Sequence, residues 1–214
     1  MAVKYRINYK DTEGVEHECT ISDDNFVGSE TDVQGSVLWS LAETKEPGEI
    51  IRGTGLTINL DASTDLNYND LYSEEERTFY VQYNRDGSVM FNGWLTSDGI
   101  YQDYVSDKWI ISIDCTDGLG YLTELSYVDS NGVIFSGNQT LLEIIVNCLK
   151  RTGVSQNINT NIDIYYTGLS TTLDILDNVY FNADRFCNKK EIFPCAEFKD
   201  SRSWIFVSWF SLGW

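Results

Sequence analysis

Phe91-Asn92-Gly93-Trp94-Leu95, followed by Lys108-Trp109-Ile110-Ile111-Ser112-Ile113-Asp114-Cys115-Thr116-Asp117-Gly118-Leu119-Gly120-Tyr121-Leu122, decides how this chain is read. It spells one strand, a connection, a second strand and an abrupt exit through Asp117 to Gly120. Trp94 and Trp109 supply large buried anchors. Gly118 and Gly120 stand where the chain must turn sharply, and Gly93 marks a bulge or a close backbone approach. None of these residues is an obvious catalyst. In the second strand Trp109, Ile111 and Ile113 share one side and Ile110 takes the other, the pattern of a strand covered on both faces.

Outward from this stretch the chain alternates with a period of two. Tyr5, Ile7 and Tyr9 interleave with Lys4, Arg6, Asn8 and Lys10. After a turn at Asp11 to Gly14, Val15, His17, Cys19 and Ile21 return in phase. That is a hairpin with one wet face. Ser36 to Leu41 and Gly55 to Leu60 are further strands, with a charged loop around Pro47 between them. Asp61 to Glu76 is polar enough for a long surface excursion. Phe79, Val81 and Tyr83 lead into Asp86-Gly87, a favoured dipeptide for a tight hairpin, and Val89 and Phe91 follow.

The pattern changes after Val128. A turn at Asp129 to Gly132 precedes a helix over 138–153, with an apolar stripe of Leu141, Leu142, Ile145, Cys148 and Leu149. Thr140 with Glu143 fits a capping box, as does Ser136 with Gln139 one turn earlier. Lys150, Arg151 and Gly153 suit its C-terminus. Ile158 to Tyr166 reads as extended and Thr172 to Val179 as a short apolar run. The expected organisation is mainly β (α+β): an antiparallel β-barrel or sandwich over residues 1–128, a small α/β segment over 129–197, and an aberrant or truncated tail over 198–214.

Composition narrows the function. The chain has 214 residues and a formal charge of −18, with 33 acidic and 15 basic side chains. Such a field repels phosphate backbones and anionic lipid, so neither nucleic acid nor a membrane is an expected partner. Five cysteines without a Cys-x-x-Cys pair fit a reducing compartment, with Cys115 and Cys148 as small core residues. His17 is the only histidine and lies in phase with apolar neighbours, so a packed residue is expected rather than a catalytic one. Glu74 to Glu76 reads as a solvated run. Asp61, Asp65, Asn67, Asn69 and Asp70 lack the order of a calcium loop. Asn138-Gln139-Thr140 spells a glycosylation site but suits helix capping better. No catalytic, cofactor or metal residues are assigned. Tyr68, Tyr72, Tyr101 and Tyr104 lie in polar stretches, where aromatics can stack on sugar rings or anchor a protein interface.

The ordered series Phe91 to Gly99, Asp103-Tyr104-Val105 and Trp109 to Gly120 resembles tailed-phage and prophage tail proteins of the tail-tip and baseplate-hub type. In that family a Gly-Trp strand and a strand ending in Asp-Gly-Leu-Gly close an N-terminal β-rich domain. Asp177 to Phe186 and Phe193 to Glu197 are similar to later phrases of the same pattern. The resemblance covers roughly residues 1 to 197. It implies a structural role without a cofactor or catalytic residue, with Trp94, Trp109, Asp117, Gly118 and Gly120 as structural anchors. It also implies other tail proteins as partners, a homo-oligomer, and a passage from the bacterial cytoplasm to the virion tail. The aromatic burst from about Phe198 departs from the pattern and is expected to be out of frame or truncated. A carbohydrate-binding β-sandwich using the loop tyrosines is the alternative expectation.

Overall fold

A computed structural model describes residues 1–41, 53–61, 66, 68–102, 110–123, 125–154, 174–185, 187–188 and 191–192. The charged loop around Pro47, Tyr104, Trp109, the run from Ile158 to Tyr166 and the tail beyond Phe198 lie outside them. The chain divides into two compact units, one formed by Met1–Glu43 with Gly53–Gly118, the other by Thr44–Arg52 with Leu119–Trp214.

The first unit is one eight-stranded sheet. Its strands are β1 (Ala2–Lys10), β2 (Glu16–Asp23), β3 (Thr31–Asp32), β4 (Gly35–Leu41), β5 (Thr54–Asp61), β6 (Phe79–Arg85), β7 (Ser88–Gln102) and β8 (Ile110–Thr116), in the order β3-β1-β2-β6-β7-β8-β5-β4. All pairs are antiparallel except the short parallel match of β3 to β1. Where an antiparallel barrel or sandwich was expected, the unit is thus a single mixed sheet rather than a purely antiparallel one.

Closure comes from a single segment that serves both ends of the sheet. Thr31 and Asp32 pair with Tyr5 and Arg6 of β1, and the Val33 N–H donates to the Arg6 carbonyl at 2.9 Å. One residue later the chain changes allegiance. The Asp61 N–H donates to the Gln34 carbonyl, and β4 runs on against β5. Side chains alternate as the sequence predicts. Tyr5, Ile7, Cys19, Ile21, Leu56, Ile58, Leu60, Val81, Phe91, Leu95, Ile111, Ile113 and Cys115 fill the interior. Each fully buried Ile or Leu contributes about 1.5–3 kcal/mol. Burial pushes the Cys19 thiol up to about 12 and the Cys115 thiol well above its ordinary value, as befits thiols used as apolar filler.

Two sequence expectations need correction. The stretch from Asp61 to Glu76 is not purely a surface excursion, because Leu66 and the one-turn 3-10 helix Tyr68–Leu71 send Leu66 and Leu71 into the core. An apolar pair spaced by polar residues carries no period to announce it. Nor is β8 covered on both faces, since Ile110 is 52% exposed and Asp114 is exposed.

The tight hairpin between β6 and β7 forms as expected, with Asp86 and Gly87 both at positive φ (47° and 72°), the requirement of a type I′ turn. β7 pairs with β6 through its first half and with β8 through its second, and Trp94 is matched to both Tyr80 and Thr116. Gly93 sits at this changeover. A Cβ there would lie 2.2 Å from the Thr116 carbonyl oxygen and 2.5 Å from the Phe91 ring.

In the second unit, helix α1 (Leu141–Arg151) buries Leu141, Ile144, Ile145 and Cys148. Leu122, Tyr127 and Ala183 pack with Ile144 and Cys148, while Ile175 and Leu176 pack with Leu141 and Ile145. The Thr140–Glu143 capping box is present in both directions. The second box is not. Residues 138–140 form a strand, β9 (Asn138–Thr140), paired with β10 (Tyr180–Asn182), and Gln139 accepts from the Tyr127 hydroxyl at 2.6 Å. Tertiary pairing has shortened the predicted helix by one turn. A further short pair, β11 (Cys187–Asn188) and β12 (Glu191–Ile192), completes the described elements.

Gly93→Ala is expected to lower stability by about 1–3 kcal/mol through forced overlap with backbone. Gly14→Ala has open space but also a positive φ, so its loss reports strain alone. Urea-unfolding midpoints of the two variants measure the difference.

Candidate functional site

The anchors expected from sequence occupy different settings. Trp94 is buried, yet it does not belong to the barrel interior. Phe91 and Leu95 face inward, so Trp94 faces outward beside Tyr80, ring edge to ring face at 5.2 Å. Asp117 is buried immediately after β8. Its carboxylate accepts from the Thr54 N–H and, at 2.9 Å, from the Thr54 hydroxyl, while its own N–H donates to the Thr54 carbonyl. This ties the end of β8 to the start of β5 by side chain as well as backbone. Gly118 then turns at φ 80°, where a side chain is strained. Gly120 lies in the 3-10 turn Leu119–Thr123, without a positive φ and with open space around a Cβ position, so local sterics do not demand glycine there. Trp109 falls outside the described residues.

The densest polar cluster is elsewhere, at the end of the barrel where β1 meets β2. Tyr9, His17 and Tyr83 extend the inward rows of β1, β2 and β6. Tyr9 stacks on His17 with centroids 4.6 Å apart and planes 1° from parallel. His17 Nδ1 meets the Tyr83 hydroxyl at 2.7 Å, and Nε2 meets the Asp11 carboxylate at 3.2 Å. The other Asp11 oxygen accepts from the Glu13 and Val15 N–H groups, closing the β1–β2 turn. The His17 hydrogen bond, with those backbone donors, holds the Asp11 carboxyl below the usual carboxylate range. Both nitrogens of the histidine are engaged, which agrees with the packed role expected of it.

Tyr9 performs a second task. Its hydroxyl lies 3.3 Å from both the N–H and the carbonyl oxygen of Val37, accepting from one and donating to the other. β1 and β4 have no backbone pairing there. One phenol therefore takes the place of a main-chain neighbour at the seam of the barrel. The phase of Tyr9 was legible in the sequence; its reach across to Val37 had no local signal.

The outer face beyond this end is polar, and several of its charges are paired. Lys10 meets Glu16 at 2.6 Å, Arg6 bridges Glu18 and Glu30, and Asn84 donates to Glu18 at 3.0 Å. Among the described residues there is no cluster of three His, Cys, Asp or Glu side chains that could hold a metal ion. No described helix is long and apolar enough to cross a membrane. Asp129 forms a plain turn, accepting from the Asn131 and Val133 N–H groups at 2.8 Å. Of the tyrosines read as surface aromatics, Tyr72 and Tyr101 are exposed, the latter by 56% on the outer face of β7.

No known protein family and no curated protein matches the chain. Among solved structures, it is similar to the 43 kDa tail protein of prophage MuSo2 from Shewanella oneidensis, at 13% identity and a TM-score of 0.38. The match covers 81% of this chain and 45% of that one, so this chain spans under half the length of that protein. At that level the likeness carries no weight for fold or function.

Tyr9→Phe removes both hydrogen bonds to Val37 and leaves the ring stack in place. It is expected to cost about 1–3 kcal/mol, read from chemical denaturation. Because Asp11 is held below its ordinary range, its contribution to stability is complete above that range and disappears as pH falls through the lowered value. Asp11→Asn is therefore expected to be less stable than the parent near neutral pH and to converge with it as pH falls below the ordinary carboxylate range. Melting temperatures across a pH series test the convergence.

Proposed function

We infer that this chain is a structural component of a phage or prophage tail, at the tail tip or baseplate hub, acting through protein–protein assembly rather than catalysis. The observation that carries the reading is where the phage-like phrase falls. Its Gly-Trp element sits at the point where β7 changes partner, and its Asp-Gly element locks β8 to β5. Of the residues in that phrase, Gly93 and Asp117 stand at junctions between strands of the barrel. The engaged ring nitrogens of His17 and the apolar filling of the barrel support the same reading. A strong net charge of −18 suits soluble subunits that meet by chosen contacts. Other tail proteins are the partners, and the finished location is the virion tail.

A carbohydrate-binding role remains the competing reading, favoured by one observation: Tyr101 stands exposed on a strand face opposite Ser112, whose hydroxyl donates to Asn59 at 2.7 Å. An aromatic beside hydrogen-bonding side chains can stack on a sugar.

Purified particles from an induced host separate the two. The tail reading expects peptides of this protein in the particle at stoichiometric amounts, with an antibody label at one end of the tail. Particles lacking the protein, together with saturable oligosaccharide binding abolished by Tyr101→Ala, would replace it with the sugar-binding reading.

A further inference from the structure

We propose that the free edge of β4 is a self-association surface, where a second copy of this chain adds its own β4 in antiparallel register about a two-fold axis at Ser40. The proposal rests on the assembly reading and names the surface and partner through which it acts.

The first observation is the unpaired backbone. Among the described residues β4 forms backbone ladder pairs with β5 alone, although Val33 and Gln34 just before it close the barrel. Val37 turns its N–H and carbonyl toward the seam, where Tyr9 takes them. By strand alternation Trp39 and Leu41 present theirs on the same edge. β1 ends at Lys10, one residue past the latch, and among the described residues no strand pairs with this edge at Trp39 or Leu41.

The second observation is chemical. Exposed edges are ordinarily guarded by charge, proline or a bulge. Gly35–Leu41 reads Gly-Ser-Val-Leu-Trp-Ser-Leu, with no charged side chain and no proline. It is paired to β5 without a register shift. It also carries two exposed leucines, Leu38 at 64% and Leu41 at 52%.

Charge selects the occupant. In a chain of formal charge −18, contact between copies through most surfaces brings carboxylates together. β4 is a strand where a second copy approaches without adding strand-borne charge. Antiparallel pairing of a strand with itself is self-complementary, as a two-fold interface demands. A register centred on Ser40 places Trp39 against Leu41 of the second copy and Leu41 against its Trp39. Each of those pairs exchanges both main-chain hydrogen bonds. Val37 stays with Tyr9, so the barrel need not open. At the axis two small Ser40 side chains face each other on the outer surface, leaving room for the strands to close.

The test is a charge swap at the axis, in the full chain at about 0.15 M salt, where longer-range repulsion is screened. Sedimentation velocity over a concentration series is expected to show a monomer–dimer equilibrium for the parent. Ser40→Glu and Ser40→Lys, each alone, place like charges in contact and are expected to raise the concentration for half-dimerisation by about tenfold or more. Mixing the two variants is expected to restore dimer. Circular dichroism confirms that each is folded. If a variant is not, amide exchange of the parent decides, with Trp39 and Leu41 expected to gain protection as concentration rises. A parent that stays monomeric, a dimer indifferent to both charges, a mixture that does not recover, or association that protects other strands would each overturn the proposal. A monomeric parent still found in tail particles would sink this surface while leaving the assembly reading intact.

Discussion

The structure of the first unit depends on how its eight-stranded sheet meets itself. One short stretch, Thr31 to Val37, satisfies β1 on one side and β5 on the other. Main-chain pairing closes the start of that seam, and the Tyr9 hydroxyl closes the next part by engaging Val37. Open sheets of this size leave two unpaired edges; closure removes most of that exposure. The buried rows of Ile, Leu, Val and aromatic residues supply the driving force. The seam determines that the force produces a barrel and not a flat sheet.

The polar end of the barrel follows from the same constraint. Tyr9 must be held at a fixed reach to bridge the seam. His17 stacks flat on its ring, Tyr83 and Asp11 fix His17 from either side, and Asp11 is itself fixed by its own turn. Four side chains that could be taken for a reactive constellation are thus explained by support for one hydrogen-bonding phenol. Just past the C-terminal end of β8, Asp117 does comparable work for β5 through Thr54. A side chain stands in for backbone pairing at the first junction and adds to it at the second.

Much of the fold was legible because periodicity is local. The alternation of Tyr5, Ile7 and Tyr9, the phase of His17 with Cys19 and Ile21, the Asp86-Gly87 turn and the Thr140–Glu143 box each state their structure within a few residues. Gly93 announced a close approach without naming Thr116 as its neighbour. What stayed hidden were links between distant residues. Nothing near Asp117 points to Thr54, and nothing near Leu71 reveals that it enters the core. Trp94 shows the limit from the other side: its size predicted burial correctly, but strand phase alone placed it outside the barrel core. The helix start was misplaced because Gln139 satisfies a capping pattern yet is held in a strand by Phe181 and by the Tyr127 hydroxyl.

The role of the Tyr9 latch is open to direct measurement by residue-resolved amide exchange on the dilute, monomeric chain. The account predicts slow exchange at Val33 and Val37, close to that of the β2 interior, with fast exchange at Trp39 and Leu41. Equal, fast exchange at Val37 and Trp39 would contradict it, since the seam would then be open and the phenol would hold nothing.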